Sequence, residues 1–365
     1  MIIETLRLRN FRNYENLSVS FDPKLNVITG KNAQGKTNLL ESIVYLSLTR
    51  SHRILNEKKL IRDDMPFAEI RCTFSDKEER KELAAIIHPQ GKTLIVNRYP
   101  VRKSSDFIGL LNVVIFSPDD LYLFNDMPRE RRKVMNQEIT KISPKYLLSL
   151  NRYQNFLKER NSLLKNNRVD ETYLDILDEQ MIQEQLMIIA MRRNFVQKIN
   201  HQITGLYREL SEDDIEVKIQ YKCCIDDAEC TKENLQDLYQ NCRTRDLENH
   251  VSTAGIHRED IIFRINDKEL TQTASQGQKR MVMLAFKMAL LRYIRLKTGK
   301  KPVLLLDDVL SELDENRQKK LLEMVREPYQ CLITATEIPT EIKKGNYREF
   351  RVENGTVRMV SGGRQ

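Results

Sequence analysis

The residues Gly30-Lys31-Asn32-Ala33-Gln34-Gly35-Lys36-Thr37 fit the spacing G-x-x-x-x-G-K-[ST]. That spacing cradles nucleotide phosphates. Its glycines let backbone N–H groups approach the phosphates, its lysine reaches the β/γ oxygens, and its threonine hydroxyl holds Mg²⁺. A second group closes the apolar run Pro302-Val303-Leu304-Leu305-Leu306-Asp307-Asp308. Asp307 is expected to hold the Mg²⁺, directly or through water. Asp308 is expected to orient or deprotonate an attacking water, with Lys36 as the second catalytic residue. The third group, Ser275-Gln276-Gly277-Gln278-Lys279-Arg280, opens an apolar-periodic stretch. Ser275 suits a helix N-cap and Gly277 exposes backbone N–H groups, so this is a second helix start fit for an anion. Two such starts in one chain suggest one nucleotide shared between two copies of it.

The surrounding pattern predicts the elements that position these groups. Leu25, Val27 and Ile28 predict a buried strand ending at Gly30, and Leu39, Leu40, Ile43 and Val44 predict the helix that follows. The phosphates then lie at a helix N-terminus. The uninterrupted run before Asp307 predicts a strand buried on both faces of a parallel sheet. Acids at the carboxyl end of such a strand sit where α/β sheets bind ligands. The loop lies near one end of the chain and the acids near the other, so the head is split in sequence. We expect residues 1–120 and 246–365 to form its two parts and residues 121–245 an inserted, mainly helical lobe.

Within the insert, Ser143-Pro144 marks a capped helix start. Tyr146, Leu150, Tyr153, Leu157 and Leu164 form one apolar stripe, and Leu177, Met181, Ile188, Met191, Phe195 and Ile199 a second. With a break at residues 166–170, the stripes predict an antiparallel helix pair with core-facing stripes. Residues 213–221 alternate and predict a strand, with a helix around 235–242. Strands are also expected over 67–74, 82–88 and 93–96, in an antiparallel sheet beside the nucleotide-binding one.

Composition constrains the rest. The chain has 365 residues, a formal charge of +8 and 31% charged residues. This excess of base fits a nucleic-acid partner and an ordinary solvated surface equally. Of the six cysteines, Cys223, Cys224, Cys230 and Cys242 admit a zinc site, and free thiols in a reducing cytosol are the plainer reading. The charged start Met1-Ile2-Ile3-Glu4-Thr5-Leu6-Arg7 is unlike a signal peptide, and no run reaches bilayer length. A cytoplasmic protein is expected.

Taken together the motifs resemble the ATPase head of the ABC class and, within it, the RecF group of the ABC/SMC-type ATPases. The likeness spans nearly the whole chain. It includes Asn10 to Tyr14, Gly30 to Glu41, Ser51-His52-Arg53, Phe116 to Leu121, Pro128 to Arg132, Gly255 to Asp260 and Ser275 to Arg280. Leu304 to Asp314 matches best, with Ser311-Glu312-Leu313-Asp314 as the D-loop. Ile256 and Glu259 depart from the usual Pro and Asp, Lys279 from a second Gln, and Met135-Asn136-Gln137 from a Phe-Leu-Asp run. The switch His of transporter ATPases is missing after Leu332-Ile333-Thr334-Ala335-Thr336, which leaves Thr334 and Thr336 as candidate γ-phosphate sensors.

This resemblance implies an α/β, ABC-type P-loop ATPase head with an accompanying antiparallel sheet and an inserted α-helical lobe. It implies ATP and Mg²⁺ as ligands and an ATP-dependent homodimer in which Ser275, Gln276, Gly277 and Gln278 act in trans, with Ser311 and Asp314 in the D-loop. The implied role is DNA repair, replication and the SOS response: dimerising on duplex DNA near single-strand gaps, hydrolysing ATP slowly as a switch, and helping load the RecA recombinase with RecR and RecO. Candidate DNA contacts are Arg50, Arg53, Arg129, Arg131 and Arg132. For the last three the alternative is a solvated helix start or internal pairing with Asp119 and Asp120. A subunit of another ABC-type assembly, transporter or nuclease, is the rival function. A small-molecule kinase would need neither the serine-led motif nor the D-loop.

Overall fold

Leu25–Thr29 and Val303–Asp307 are buried at every position. That is the burial of inner strands in a sheet covered on both faces. In the computed structural model, residues 1–360 are described except Glu78, Asn167, Asp227, Ala228 and Glu327. Asn167, within the expected helix break, therefore lies outside the described residues.

The chain forms two compact units, 1–121 with 205–214 and 280–365, and 122–204 with 215–279. The first unit opens with β1 (Ile2–Phe11), β2 (Tyr14–Ser20), β3 (Leu25–Thr29) and α1 (Lys36–Leu48). There follow β4 (Ala68–Asp76), β5 (Glu79–His88), β6 (Gly91–Val96), β7 (Tyr99–Val101) and β8 (Val113–Phe116). The second unit holds α2 (Tyr122–Asn125), α3 (Pro128–Ile142), α4 (Pro144–Leu163) and most of α5 (Glu171–Ser211). It continues with β9 (Val217–Lys222), α6 (Lys232–Asn249), β10 (Asp260–Ile265), β11 (Lys268–Glu269) and α7 (Leu270–Thr273). The chain returns along α8 (Gln276–Thr298) to β12 (Val303–Asp307), α9 (Glu315–Arg326) and β13 (Cys331–Ala335). It closes with α10 (Thr340–Lys343), β14 (Arg348–Glu353) and β15 (Thr356–Val360).

Unit 1 carries two sheets. One has the order β15-β14-β3-β13-β12-β8, parallel from β14 to β8 and antiparallel at β15. The other, β2-β1-β4-β5-β6-β7, is antiparallel throughout, and its β4, β5 and β6 are the strands expected over 67–96. A shared apolar cluster draws Leu39, Leu40 and Ile43 of α1, Leu6 and Phe74 of the antiparallel sheet, and Ile28 and Leu305 of the parallel one. Nearly every α1 residue is buried, as expected of a helix between two layers.

In unit 2, Ser143 caps α4 by accepting the Tyr146 N–H, with Pro144 in the first turn, as the Ser-Pro signal requires. The strand expected from Asp213 begins at Val217, after a left-handed residue at Glu212 (φ 65°). Residues 246–279 do not join the head as one piece, contrary to the expected 246–365 segment. They pack with the helical unit because β10 pairs along its length with β9 and α3 packs on β10.

Candidate functional site

The phosphate loop takes a conformation that only its residue types permit. Gly30 has φ 149°, and a Cβ there would lie 2.4 Å from the Val352 carbonyl oxygen of β14. Gly35 has φ 117°, and a Cβ would lie 2.4 Å from the Asn13 side chain. Between them Ala33 is left-handed (φ 65°). Such alternation turns successive N–H groups toward one concavity. α1 then starts at Lys36 with no side-chain cap and no acid in its first turn, leaving its first N–H groups to an anion.

Lys36 Nζ folds back on the loop, donating to the Gly30 carbonyl at 2.6 Å and the Lys31 carbonyl at 3.0 Å. Burial lowers its pKa, against the pull of Asp308 and Asp307. Thr37 Oγ1 donates to Asp307 Oδ1 at 3.1 Å, so the two expected Mg²⁺ ligands already touch. Asp307 is 5% exposed; burial raises its pKa, while the Thr334 and Thr37 hydroxyls and Arg53 oppose the rise.

Asp308 is left-handed at φ 53°, a costly conformation for a non-glycine residue. Its N–H donates to Thr334 Oγ1 at 2.9 Å, and its carbonyl accepts from Ser311 Oγ at 2.7 Å. Its carboxylate Oδ1 is buried without a hydrogen-bond partner among the described residues. Thr334 also donates to Asp307 Oδ1 at 2.7 Å. Its hydroxyl thus joins Asp307 to the Asp308 N–H. Thr336 lines an open cavity of about 750 Å³ with Gly30, Lys31 and Gln34. In the D-loop Asp314 caps α9, its Oδ1 accepting the Arg317 N–H at 2.9 Å.

Several supports had no assigned role in the sequence. Asn13, in the β1–β2 turn, donates to the Gln34 carbonyl at 2.8 Å and accepts from Asn38 at 2.9 Å. Tyr14 donates to the Gly35 carbonyl at 2.9 Å. Glu41, fully buried on α1, takes a bidentate Arg12 at 3.0 Å and the Ser51 hydroxyl at 2.5 Å. The segments Asn10 to Tyr14, Gly30 to Glu41 and Ser51 to Arg53 were the signals in the sequence for this scaffold.

The candidate DNA contacts divide. Arg53 donates to Asn38 at 3.2 Å and pairs with Glu41 at 3.7 Å, which ties it to the loop helix. Arg131 forms a bidentate pair with Asp260 (2.9 and 2.6 Å), and Arg132 donates to the Glu259 carbonyl at 2.5 Å. Both are committed within unit 2, to Asp260 and Glu259 rather than Asp119 and Asp120. Arg50 and Arg129 are exposed.

Ser275 and Gln278 form a reciprocal capping box: Ser275 Oγ accepts the Gln278 N–H at 3.2 Å, and Gln278 Oε1 accepts the Ser275 N–H at 2.9 Å. Ser275 and Gln276 are exposed, and Gly277 is half-buried. The four-cysteine zinc set is not assembled among the described residues: Cys223 and Cys224 converge on Glu259, without Cys230 and Cys242.

Comparison with known proteins follows the same lines. A family profile described as RecF/RecN/SMC N terminal domain matches residues 2–126. The chain is 39% identical to the DNA replication and repair protein RecF of Listeria monocytogenes serotype 4b (strain F2365) over 369 residues, covering 98% of this chain and 100% of that protein. It is 37% identical over 373 residues to its counterpart in Oceanobacillus iheyensis, again covering 98% and 100%. Among solved structures, the recombination mediator protein RecF-ATP in the RecFOR pathway superposes with a TM-score of 0.92 at 31% identity, covering 99% and 98% of the two chains. The Pyrococcus furiosus Smc head bound to the C-terminal domain of ScpA gives 0.57 at 15% identity, covering 98% and 96%, a likeness of fold alone. Among the described residues no helix is long and apolar enough to cross a membrane.

Proposed function

The chain belongs to the RecF family, and from that premise we propose that it is an ATP-dependent DNA-binding protein of recombinational repair and replication-fork maintenance. Gly30 to Thr37 take the triphosphate, and Lys36 exchanges its two loop carbonyls for β/γ oxygens. Thr37 and Asp307 hold Mg²⁺, which when bound neutralises charge on the transferred group. Asp308 directs the attacking water. Ser275 and the N–H groups at Gly277 of a second copy close over the γ-phosphate, with Ser311 and Asp314 alongside at the interface. Without the nucleotide two positive helix ends face each other and the copies part. Asp308 then sets how long the closed state lasts, and hydrolysis is slow because its output is opening and closing.

One observation carries the reading. Asp307 and Asp308 are knitted to Thr37 and Thr334, yet Asp308 Oδ1 has no hydrogen-bond partner among the described residues. A buried carboxylate oxygen without a donor is costly unless a ligand completes it. The DNA partner is duplex near single-strand gaps, held by phosphate contacts that weaken with salt. RecO and RecR join it there in helping load RecA, in the cytoplasm.

Gel filtration with and without ATP and Mg²⁺ tests this. The wild type should double in mass with nucleotide, and Ser275→Arg should bind ATP yet remain a monomer. A wild type of constant size, or a Ser275→Arg protein that still doubles, ends the reading.

A further inference from the structure

We propose that Cys223, Cys224 and Glu259 form a site for one thiophilic divalent cation of the Zn²⁺ class, built within unit 2. One ligand atom from each residue lies within 4.8 Å of the others. Glu259 Oε1 faces Cys223 Sγ at 3.2 Å, Cys224 Sγ at 3.3 Å and the Cys224 N–H at 3.4 Å. Around tetrahedral zinc, with bonds of about 2.3 Å to sulfur and 2.0 Å to oxygen, the two ligand types stand roughly 3.5 Å apart. The three groups are therefore arrayed close to the separation an ion would impose.

The two oxygens of Glu259 have different tasks. Oε2 is anchored by Arg192 at 2.6 Å and by the Tyr221 hydroxyl. Among the described residues Oε1 meets two thiols and one long N–H contact, and a thiol is a weak donor. A carboxylate fixed through one oxygen and presented through the other is the arrangement by which outer groups orient a metal ligand. Gln185 Nε2 donates to Cys224 Sγ at 3.2 Å and fixes the thiol's position.

Charge balance favours loading. Arg192, 1% exposed, already neutralises Glu259. Binding replaces two thiol protons with one dication, 2 Cys–SH + M²⁺ → (Cys–S)₂M + 2 H⁺, so the cluster's net charge is unchanged. This avoids the cost of adding an uncompensated charge to a buried site. Both cysteines are half-buried, which leaves an approach and a fourth position open to water.

The ion would staple one end of a strand pair. The cysteines directly follow β9, Glu259 directly precedes β10, and Lys222 pairs with Asp260 at that end. Adjacent cysteines carry no C-x-x-C spacing, and Glu259 is 35 residues from Cys224, so only pairing of the strands brings the three together.

The test uses the full chain, reduced, stripped with chelator, and titrated anaerobically with Co²⁺. The expected result is one ion per chain, a thiolate-to-cobalt absorption band bleached by Zn²⁺, and two protons released per ion. Cys223→Ser and Cys224→Ser should each lose the band, while Cys230→Ser and Cys242→Ser keep it. Zn²⁺ should raise the melting temperature of the wild type but not of the first two variants. If a variant misfolds, the wild type still decides: Zn²⁺ should slow alkylation of Cys223 and Cys224, read residue by residue by mass spectrometry. The proposal fails if stoichiometric Co²⁺ gives no thiolate band, if the band survives Cys223→Ser and Cys224→Ser together, or if Zn²⁺ leaves alkylation of both cysteines unchanged.

Discussion

In the helical unit, buried cations meet carboxylates of the same unit. Arg160, fully buried, donates to Asp178 at 2.5 Å and to Asp246 at 2.7 Å, and Arg192 meets Glu259. In the unit that carries the phosphate loop, Lys36 Nζ donates to its own loop carbonyls, and Asp308 Oδ1 has no hydrogen-bond partner among the described residues. Both units pair buried charge internally, as Arg12 does with Glu41 in the loop unit, but the loop unit also buries Lys36 on carbonyls and leaves Asp308 Oδ1 without a hydrogen bond among the described residues. A charge that holds a fold together is paired in place, whereas a charge meant for a ligand is kept near its reach and under-satisfied. Removing the two kinds should therefore have opposite signatures, one on stability and one on binding.

The sharpest break of this contrast is Arg160→Ala. It leaves Asp246 buried without its cation and Asp178 with Arg243 alone, and should cost about 3–5 kcal/mol in urea denaturation. A loss under about 1 kcal/mol would mean that these pairs are no more structural than the loop lysine. Next comes Lys36→Ala. It should weaken binding of a fluorescent ATP analogue by roughly 100-fold, about 2.7 kcal/mol, with stability unchanged or slightly higher because a desolvated cation is gone. Normal affinity would end the phosphate-loop argument.

Acid probes both units at once. Burial, reinforced by Arg258, Arg132 and Arg160, depresses His257 to about 4, against its hydrogen bond with the Ser252 carbonyl. Burial likewise depresses His52 of the loop unit to about 4, despite nearby Glu41 and Asp120. A histidine depressed in the folded state gives stability that is present above its unfolded value near 6.5 and lost as pH falls toward 4. Each should contribute up to about 1.4 kcal/mol per pH unit across that window. His257→Asn should remove one proton's worth of the slope of denaturation against pH, and an unchanged slope would show that His257 is not the titrating group.

The smallest effect should come from Thr334→Val. Losing the hydroxyl that joins Asp307 to the Asp308 N–H should cost about 1 kcal/mol of stability, and Mg²⁺-dependent hydrolysis should fall roughly tenfold. An unchanged hydrolysis rate would deny Thr334 its positioning role.

The local parts of the site were legible in the sequence. Gly30 to Thr37, the strand before them and the helix after them follow from residue type and spacing within a short stretch. The run before Asp307 is equally explicit, since an uninterrupted apolar strand has few places to go in a fold. Roles that depend on distant contact were not legible. Nothing around Asn13 announces a bond to a loop 21 residues away. Nothing around Arg131 and Arg132 distinguishes Asp260 and Glu259 from the nearer acids Asp119 and Asp120. The same holds for residues 246–279, whose place with the helical unit depends on the pairing of β10 with β9.

The chain's chemistry, then, was written locally. Glycines where φ must be positive, a lysine and threonine opening a helix, and acids closing a buried strand can each be read from the residues beside them in sequence. Strand register made the site. β13 lies between β3 and β12 with Thr334 opposite both Asp307 and Ile28. That register holds one hydroxyl against both acids, across 27 residues of chain from Asp307. Register is set by the burial of whole strand faces rather than by any single residue. A linear pattern can therefore name the groups, and only the packed sheet decides which of them meet.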